Sequence, residues 1–275
     1  MKIDQNAVKI LKKSRGGIGI SIFLVETHTH LDLIKRSTEE VVEEAAQKGV
    51  TKMVTIGIDL ESSKTALKFA SRWEGVYAAV GFHPHEAKFL EEKNWEELQK
   101  LAREGGDRIV AIGETGLDYY RKHSPISCQV EAFKKQIGLA KKLNLPLIIH
   151  SREAHQDTLK ILAEEARGLK VIIHCFSGDG ELAEECLKRG YYLGIGGVVT
   201  FDNAKNIRTV VEQIPLDHIV LETDSPYLAP HPFRGKPNEP RYLPLIAEKI
   251  AELKKISLEE VAKITSTNCK KILGI

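Results

Sequence analysis

Short runs of apolar, largely β-branched residues alternate with amphipathic segments along nearly the whole chain. The first run, Ile22–Val25, ends in Glu26-Thr27-His28-Thr29-His30. Val41, Val42, Ala45 and Ala46 then recur at helical spacing and predict a helix over Thr38–Lys48, closed by Gly49. The same reading predicts strands at Lys52–Ile56, Val76–Val80 and Ile109–Gly113, with helices at Leu60–Arg72, Trp95–Glu104 and Ser127–Leu143. Further strands follow at Leu145–Ile149, Lys170–Ile173, Tyr191–Ile195 and His218–Leu221. Helices at Ala154–Glu165, Glu181–Arg189 and Asn203–Gln213 separate them. Two more helices, Leu243–Lys254 and Leu258–Leu273, end the chain, and Ser257 with Glu260 offers a capping box for the last.

Eight apolar strands separated by helices, with no repeat unit or long linker, predict a parallel sheet covered by helices. Eight such units are what a (β/α)8 TIM barrel requires. A doubly wound open sheet would usually carry a Gly-rich phosphate turn after its first strand, where this chain has His28-Thr29-His30-Leu31-Asp32. The expected architecture is therefore α/β: a single (β/α)8 barrel over residues 22–275, an N-terminal extension at 1–21 and an extra C-terminal helix. Within the extension, Gln5–Lys13 reads as a short basic helix.

The polar residues concentrate where the strands end. His28 and His30 end the first strand, Glu114 follows the fourth, His150 the fifth, His174 the sixth and Asp224 the eighth. A barrel brings those ends to one face, where active sites are built. Alternate residues of an extended chain share a side, so His28 and His30 point the same way. Four imidazoles and two carboxylates are too many donors for one catalytic ion with an open position. They suit two divalent ions about 3.5–4 Å apart that share a carboxylate. Imidazole donors favour zinc, and carboxylates beside phosphate also suit magnesium or manganese. Glu222 shares a strand face with Asp224, where it either orients a ligand histidine or sits as a paired core carboxylate.

Composition refines the picture without redirecting it. The chain of 275 residues is 42% hydrophobic and 28% charged, with a net charge of +2, so any steering of an acidic partner has to be local. Its four cysteines show no CxxC spacing, which points to a reducing cytoplasm and excludes a cysteine-built zinc site. Lys12, Lys13 and Arg15 precede an apolar run in the manner of a signal peptide. No small-residue cleavage site follows, and cleavage would remove the strand bearing His28 and His30. A cytoplasmic protein without membrane contact is expected.

The segments THTHLD, GFHPH, AIGETGLDYYR, PLIIHSREA, VIIHCFSG and LETDSPYL, followed by RGKPNEPRY, run in order from residue 27 to about 242. As an ordered set they resemble the TatD family of metal-dependent deoxyribonucleases, amidohydrolase-like barrels. Glu26 departs from the pattern, which usually has Asp there, and residues 1–22 have no usual counterpart. The resemblance implies that His28, His30, Glu114 and Asp224 hold one metal while Glu114, His150 and His174 hold the other, with Glu114 as the bridge. It also implies that His83 faces substrate phosphate, and that the activity is that of a DNase working as a 3′ exonuclease. Glu114 and Asp224 are then the catalytic carboxylates, Asp224 taking the proton from the attacking water. Arg152 and the loop cations Arg234, Lys236 and Arg241 suit phosphate, and Tyr227 between them either stacks a base or packs. No base-reading element is visible, so a DNA substrate of low sequence specificity is expected. The same metals could instead serve ester or amide hydrolysis, such as deacylation of D-aminoacyl-tRNA. A non-catalytic nucleic-acid-binding barrel is a third reading, which the intact ligand set opposes.

Overall fold

The computed structural model describes residues 22–275. Eight strands form one parallel sheet in sequence order: β1 Leu24–Thr29, β2 Val50–Ile56, β3 Val76–Val80, β4 Ile109–Asp118, β5 Leu147–Arg152, β6 Val171–Ile173, β7 Tyr192–Ile195 and β8 Ile219–Leu221. Between successive strands lie α1 Thr38–Gln47, α2 Leu60–Arg72, α3 Glu92–Glu104, α4 Ile126–Leu143, α5 His155–Glu165, α6 Gly180–Lys188 and α7 Lys205–Gln213. Helices α8 Leu243–Lys254 and α9 Leu258–Leu273 follow β8. This is the expected (β/α)8 barrel with an extra C-terminal helix. The basic helix expected at Gln5–Lys13 lies outside the described residues, as does the whole of the expected extension.

Alternation along the strands builds two apolar cores. Val54, Ile148, Ile172 and Val220 join an inner cluster, while their neighbours Met53, Leu147, Val171 and Ile219 belong to the larger layer under the helices. Helix α9 contributes Cys269, Ile272 and Leu273 to the inner cluster. Its Ser266 hydroxyl donates to the carbonyl of Phe23 just before β1, and the Asn268 amide donates to Leu216 and Ile219 at the start of β8. It therefore closes the N-terminal end of the barrel, which leaves the opposite end to the loops. Ser257 accepts the Glu260 N–H at 3.1 Å, the serine half of the expected capping box. A complete box at α2, formed by Asp59 and Ser62, was not read from the sequence.

Closure between β1 and β8 falls at the ligand residues themselves. The Asp224 N–H donates to the His28 carbonyl (2.9 Å), and the His30 N–H to the Ser225 carbonyl (2.8 Å). The most consequential departure from expectation is β4. It continues five residues past the predicted end at Gly113 and pairs with β5 from Thr115↔Ile149 through Asp118↔Arg152. Glu114 is thus held inside a strand between two neighbours, a stiffer mount than a loop.

Candidate metal centre

The residues expected at the site converge at the C-terminal ends of the strands. His28 lies within β1 and His30 directly after it, Glu114 within β4, His150 within β5, His174 directly after β6 and Asp224 three residues beyond β8. Glu114 is the hub. Its Oε2 lies 3.3 Å from His28 Nε2, while Oε1 lies 2.8 Å from His150 Nδ1, 3.5 Å from His83 Nε2 and 3.9 Å from His174 Nε2. Asp224 Oδ1 gathers the other side, at 3.6 Å from His30, 3.8 Å from His174 and 3.9 Å from His28. The rings of His28 and His174 stack with centroids 3.4 Å apart.

Among the described residues four donor sets are compact enough to hold an ion: His28 with His174 and Asp224, His28 with His30 and Glu114, His83 with Glu114 and His150, and, behind these, His174 with Cys175 and Glu222. The fit of a cation rests on unmet bonding. Both ring nitrogens of His28, which is fully buried, and Nδ1 of His30 have no hydrogen-bond partner. A buried polar atom left unpaired costs about 1–3 kcal/mol, and native proteins seldom tolerate several together. A divalent ion accepting the lone pair of one ring nitrogen from each histidine removes part of that cost, and imidazole with carboxylate is a donor set that binds one.

Electrostatics gives the same centre a shared charge. Burial would raise the carboxyl of Glu114, but His83, His28, His150 and His174 outweigh it and hold Glu114 well below the usual carboxylate range. Burial lowers His174, yet Glu222, Glu114 and Asp224 together raise it to about 10. His83 is lowered to about 4, mainly by burial and only partly countered by Glu114. That leaves a neutral ring facing Glu114, suited to donate a lone pair. His174 is as near Asp224 as Glu114, and His83 shares a donor set with Glu114 and His150.

Two supports sit behind these ligands. Glu222, fully buried, accepts the Cys175 N–H at 2.7 Å and lies 3.0 Å from His174 Nδ1, which orients the ring so that Nε2 faces the centre. Glu26 accepts the N–H groups of His28 (3.0 Å) and Thr223 (2.9 Å), so the longer side chain at this position pins β1 to the strand end of β8. Burial pushes its carboxyl up to about 8.

Asp118 was missed. Its Oδ2 lies 3.2 Å from His150 Nε2 and 2.8 Å from His85 Nε2, and burial notwithstanding, those contacts and the Arg121 N–H hold it well below the carboxylate range. The signal was present in the spacing: Glu114, Gly116 and Asp118 recur at every second residue and so share one face of an extended strand.

The expected phosphate contacts divide. The Arg152 guanidinium lies 4.2 Å over the Tyr120 ring, and that of Arg234 lies 4.4 Å over Phe201. Tyr227 is exposed, its ring 6.1 Å from that of His30. Arg241 is engaged by Glu44 (2.6 Å) and Glu239 (3.2 Å), within a network that Arg36 completes, and ties α1 to the loop before α8. An open cavity of about 640 Å³ lies beside the centre, between the loops after β5 and β6. It is lined by Tyr119, His155, Asp157 and Asp179, and none of the convergent ligands borders it.

Burial raises the thiol of Cys175 well above its ordinary range and that of Cys186 to about 12, and it raises Cys269 as well. Iodoacetamide applied to the native protein near about pH 8 is therefore expected to label Cys128 first, because thiolate is the reacting species. Tandem mass spectrometry reads the site, and rapid labelling of Cys175 would contradict this account.

A family model described as TatD related DNase matches residues 25–274. The chain is 45% identical over 255 residues to the uncharacterized metal-dependent hydrolase YabD of Bacillus subtilis, covering 92% of this chain and 99% of that one. It is 38% identical over 220 residues to the 3′-5′ ssDNA/RNA exonuclease TatD of Cronobacter sakazakii, covering 78% and 83% respectively. The crystal structure of YjjV, a TatD homologue from Escherichia coli K12, superposes with a TM-score of 0.86 at 31% identity, covering 92% of this chain and 98% of that one.

Proposed function

The chain belongs to the TatD-related DNase family, and from that premise we propose that it is a divalent-metal-dependent hydrolase that cleaves phosphodiester bonds of single-stranded DNA, stepwise from the 3′ end. The observation that carries the reading is the Glu114 carboxylate with ring nitrogens of His28, His83, His150 and His174 all within 3.9 Å. Such a carboxylate, buried among four imidazoles, suits two ions better than any purely structural role. His28, His30, Asp224 and one oxygen of Glu114 would hold the first; the other oxygen, His150, and either His174 or His83 would hold the second. Divalent ions bound there supply Lewis-acid neutralisation of the phosphate oxygens and acidify water for attack.

The chain's own groups do the remainder. Asp224 takes the proton of the attacking water, its carboxylate being held in the ionised form by His30, His174 and His28 against the effect of burial. Arg152 offers a guanidinium to the phosphate, and Arg234 a second from the loop after β8. Glu222 keeps His174 oriented, and Glu26 keeps β1 and β8 in register. A site that reads phosphate and strand end has little means of reading base sequence, so specificity is low. Among the described residues no helix is long and apolar enough to cross a membrane. The free cysteines fit a reducing cytoplasm. The barrel is one domain over 22–275 behind an extension at 1–21.

The test pairs substrates with variants. Metal-loaded protein is incubated with end-labelled single-stranded DNA and, separately, with a D-aminoacyl-tRNA, beside His150→Ala and Asp224→Ala. Shortening of the DNA that falls below about one hundredth of the wild-type rate in both variants is expected. Intact DNA with deacylated tRNA would replace the reading with ester hydrolysis, and binding without turnover of either would leave a non-catalytic barrel.

A further inference from the structure

Among the described residues seven large apolar side chains are exposed, and all but Phe23 follow a strand on the side of the metal centre. The three most exposed are aromatic: Tyr120 at 55%, Tyr227 at 53% and Phe89 at 51%. A folded protein has no stability reason to gather rings in water on the face that carries its chemistry. We propose that Tyr120 and Phe89 form a nucleobase-stacking strip along the loops after β3 and β4, which seats the single strand leading to the metal centre. The proposal rests on the nuclease reading and adds to it the contact that recognises bases.

Each of these two rings is paired with a cation. Arg152 lies 4.2 Å over Tyr120, with Arg121 at 5.7 Å, and Lys88 lies 5.0 Å over Phe89. Exposed rings interleaved with cations are what a sequence-tolerant single-strand site requires, since every base has a π-face and every linkage a phosphate. The neighbouring tyrosine shows the contrast. Tyr119 is half-buried and donates its hydroxyl to Asp157 at 2.7 Å, so it is used by the fold. Tyr120 is left to solvent.

The strip is also fixed to the centre. Asp118 Oδ1 accepts the N–H groups of Tyr120 (2.9 Å) and Arg121 (2.7 Å), while its Oδ2 contacts His150 and His85. One carboxylate thus sets the height of the Tyr120 turn against a residue of the metal cluster. The Phe89 turn is tied to the same loop, because the Lys88 N–H donates to Ser124 Oγ and its ammonium to the His123 carbonyl, both at 3.1 Å. On the other flank, the cavity between the loops after β5 and β6 is lined by Glu153, Asp157, Asp179, Glu181 and Glu185, which repel phosphate. The strand is left with the aromatic, cationic side.

The test measures preference for bases. Hydrolysis of a short thymidine oligonucleotide is compared with that of a chain of the same length built from base-free tetrahydrofuran units. Wild type, Tyr120→Phe, Tyr120→Leu and Phe89→Leu are assayed, and thermal melting confirms that each is folded. The ratio of kcat/KM for the two substrates is expected to fall about tenfold in Tyr120→Leu and about fivefold in Phe89→Leu. In Tyr120→Phe, which keeps the ring, it should stay within about twofold of wild type. An unchanged ratio in Tyr120→Leu, or equal losses on both substrates, would overturn the stacking assignment. If the wild type hydrolyses neither substrate, the nuclease reading fails instead. The same ratio is then read from fluorescence anisotropy with phosphorothioate forms of both chains, and it decides the strip on its own.

Discussion

If the proposed centre takes two ions, replacing Glu114 with glutamine is expected to leave fewer than one equivalent of bound divalent metal per chain and to lower kcat by about a thousandfold. Glutamine keeps the size of the side chain and one acceptor oxygen. It replaces the other oxygen with a donor amide and removes the negative charge that His28, His83, His150 and His174 share. In the proposed grouping Glu114 is the one residue that serves both ions, so the substitution strikes both at once. A buried partner left without its countercharge typically costs about 3–5 kcal/mol, enough to empty the weaker position. Elemental analysis after reconstitution reads the ions, and single-turnover hydrolysis reads the rate. Two ions retained in Glu114→Gln would show that the carboxylate is not the bridge. The double substitution of His28 and His30 provides the complementary measurement, since it removes ligands from one side only and should leave the other ion in place.

How much of this was legible in the sequence follows from which interactions are local. Helices α2, α8 and α9 and strand β3 have the expected bounds, because periodicity and capping are set by residues a few positions apart. The convergence of His28, His30, Glu114, His150, His174 and Asp224 was legible for a different reason: a parallel barrel brings strand ends to one face whatever the side chains do. The end of β4 was not. Gly113-Glu114-Thr115-Gly116 reads locally as a turn, and only pairing with β5, some thirty residues later in the chain, keeps it extended. Asp118 was lost with it. Arg241 was expected among the phosphate-binding cations, but a glutamate on α1, remote in sequence, engages it. Which histidine goes with which carboxylate depends on differences of a few tenths of an ångström, and no spacing rule encodes those. Tyr120 was visible only as part of a family motif; its exposure, and the contrast with Tyr119, required the fold.

The same unread stretch of β4 carries the largest expected effect on stability. Gly116 has φ of +138°, a conformation that residues with a Cβ rarely adopt, and a Cβ built there would lie 2.0 Å from the His150 carbonyl oxygen. The obstacle is backbone of the adjacent strand, so no rotamer change relieves it; β4 and β5 must separate or β4 must change its path. Gly116→Ala is therefore expected to cost about 3–5 kcal/mol and to lower Tm by roughly 10 °C or more. Gly190→Ala is the control. Gly190 also has positive φ, at +73°, but a Cβ there meets nothing within 4 Å, so only the left-handed backbone penalty of about 1 kcal/mol applies. Melting of the two variants side by side separates strand clash from backbone conformation, and equal Tm values would show that β4 and β5 have room to part. Because Glu114 and Asp118 flank Gly116 and His150 supplies the clashing carbonyl, the stabilisation expected from an added divalent cation in the wild type should shrink in Gly116→Ala and persist in Gly190→Ala. A glycine with no side chain of its own thus sets the spacing between the strand that carries the shared carboxylate and the strand that carries its nearest histidine.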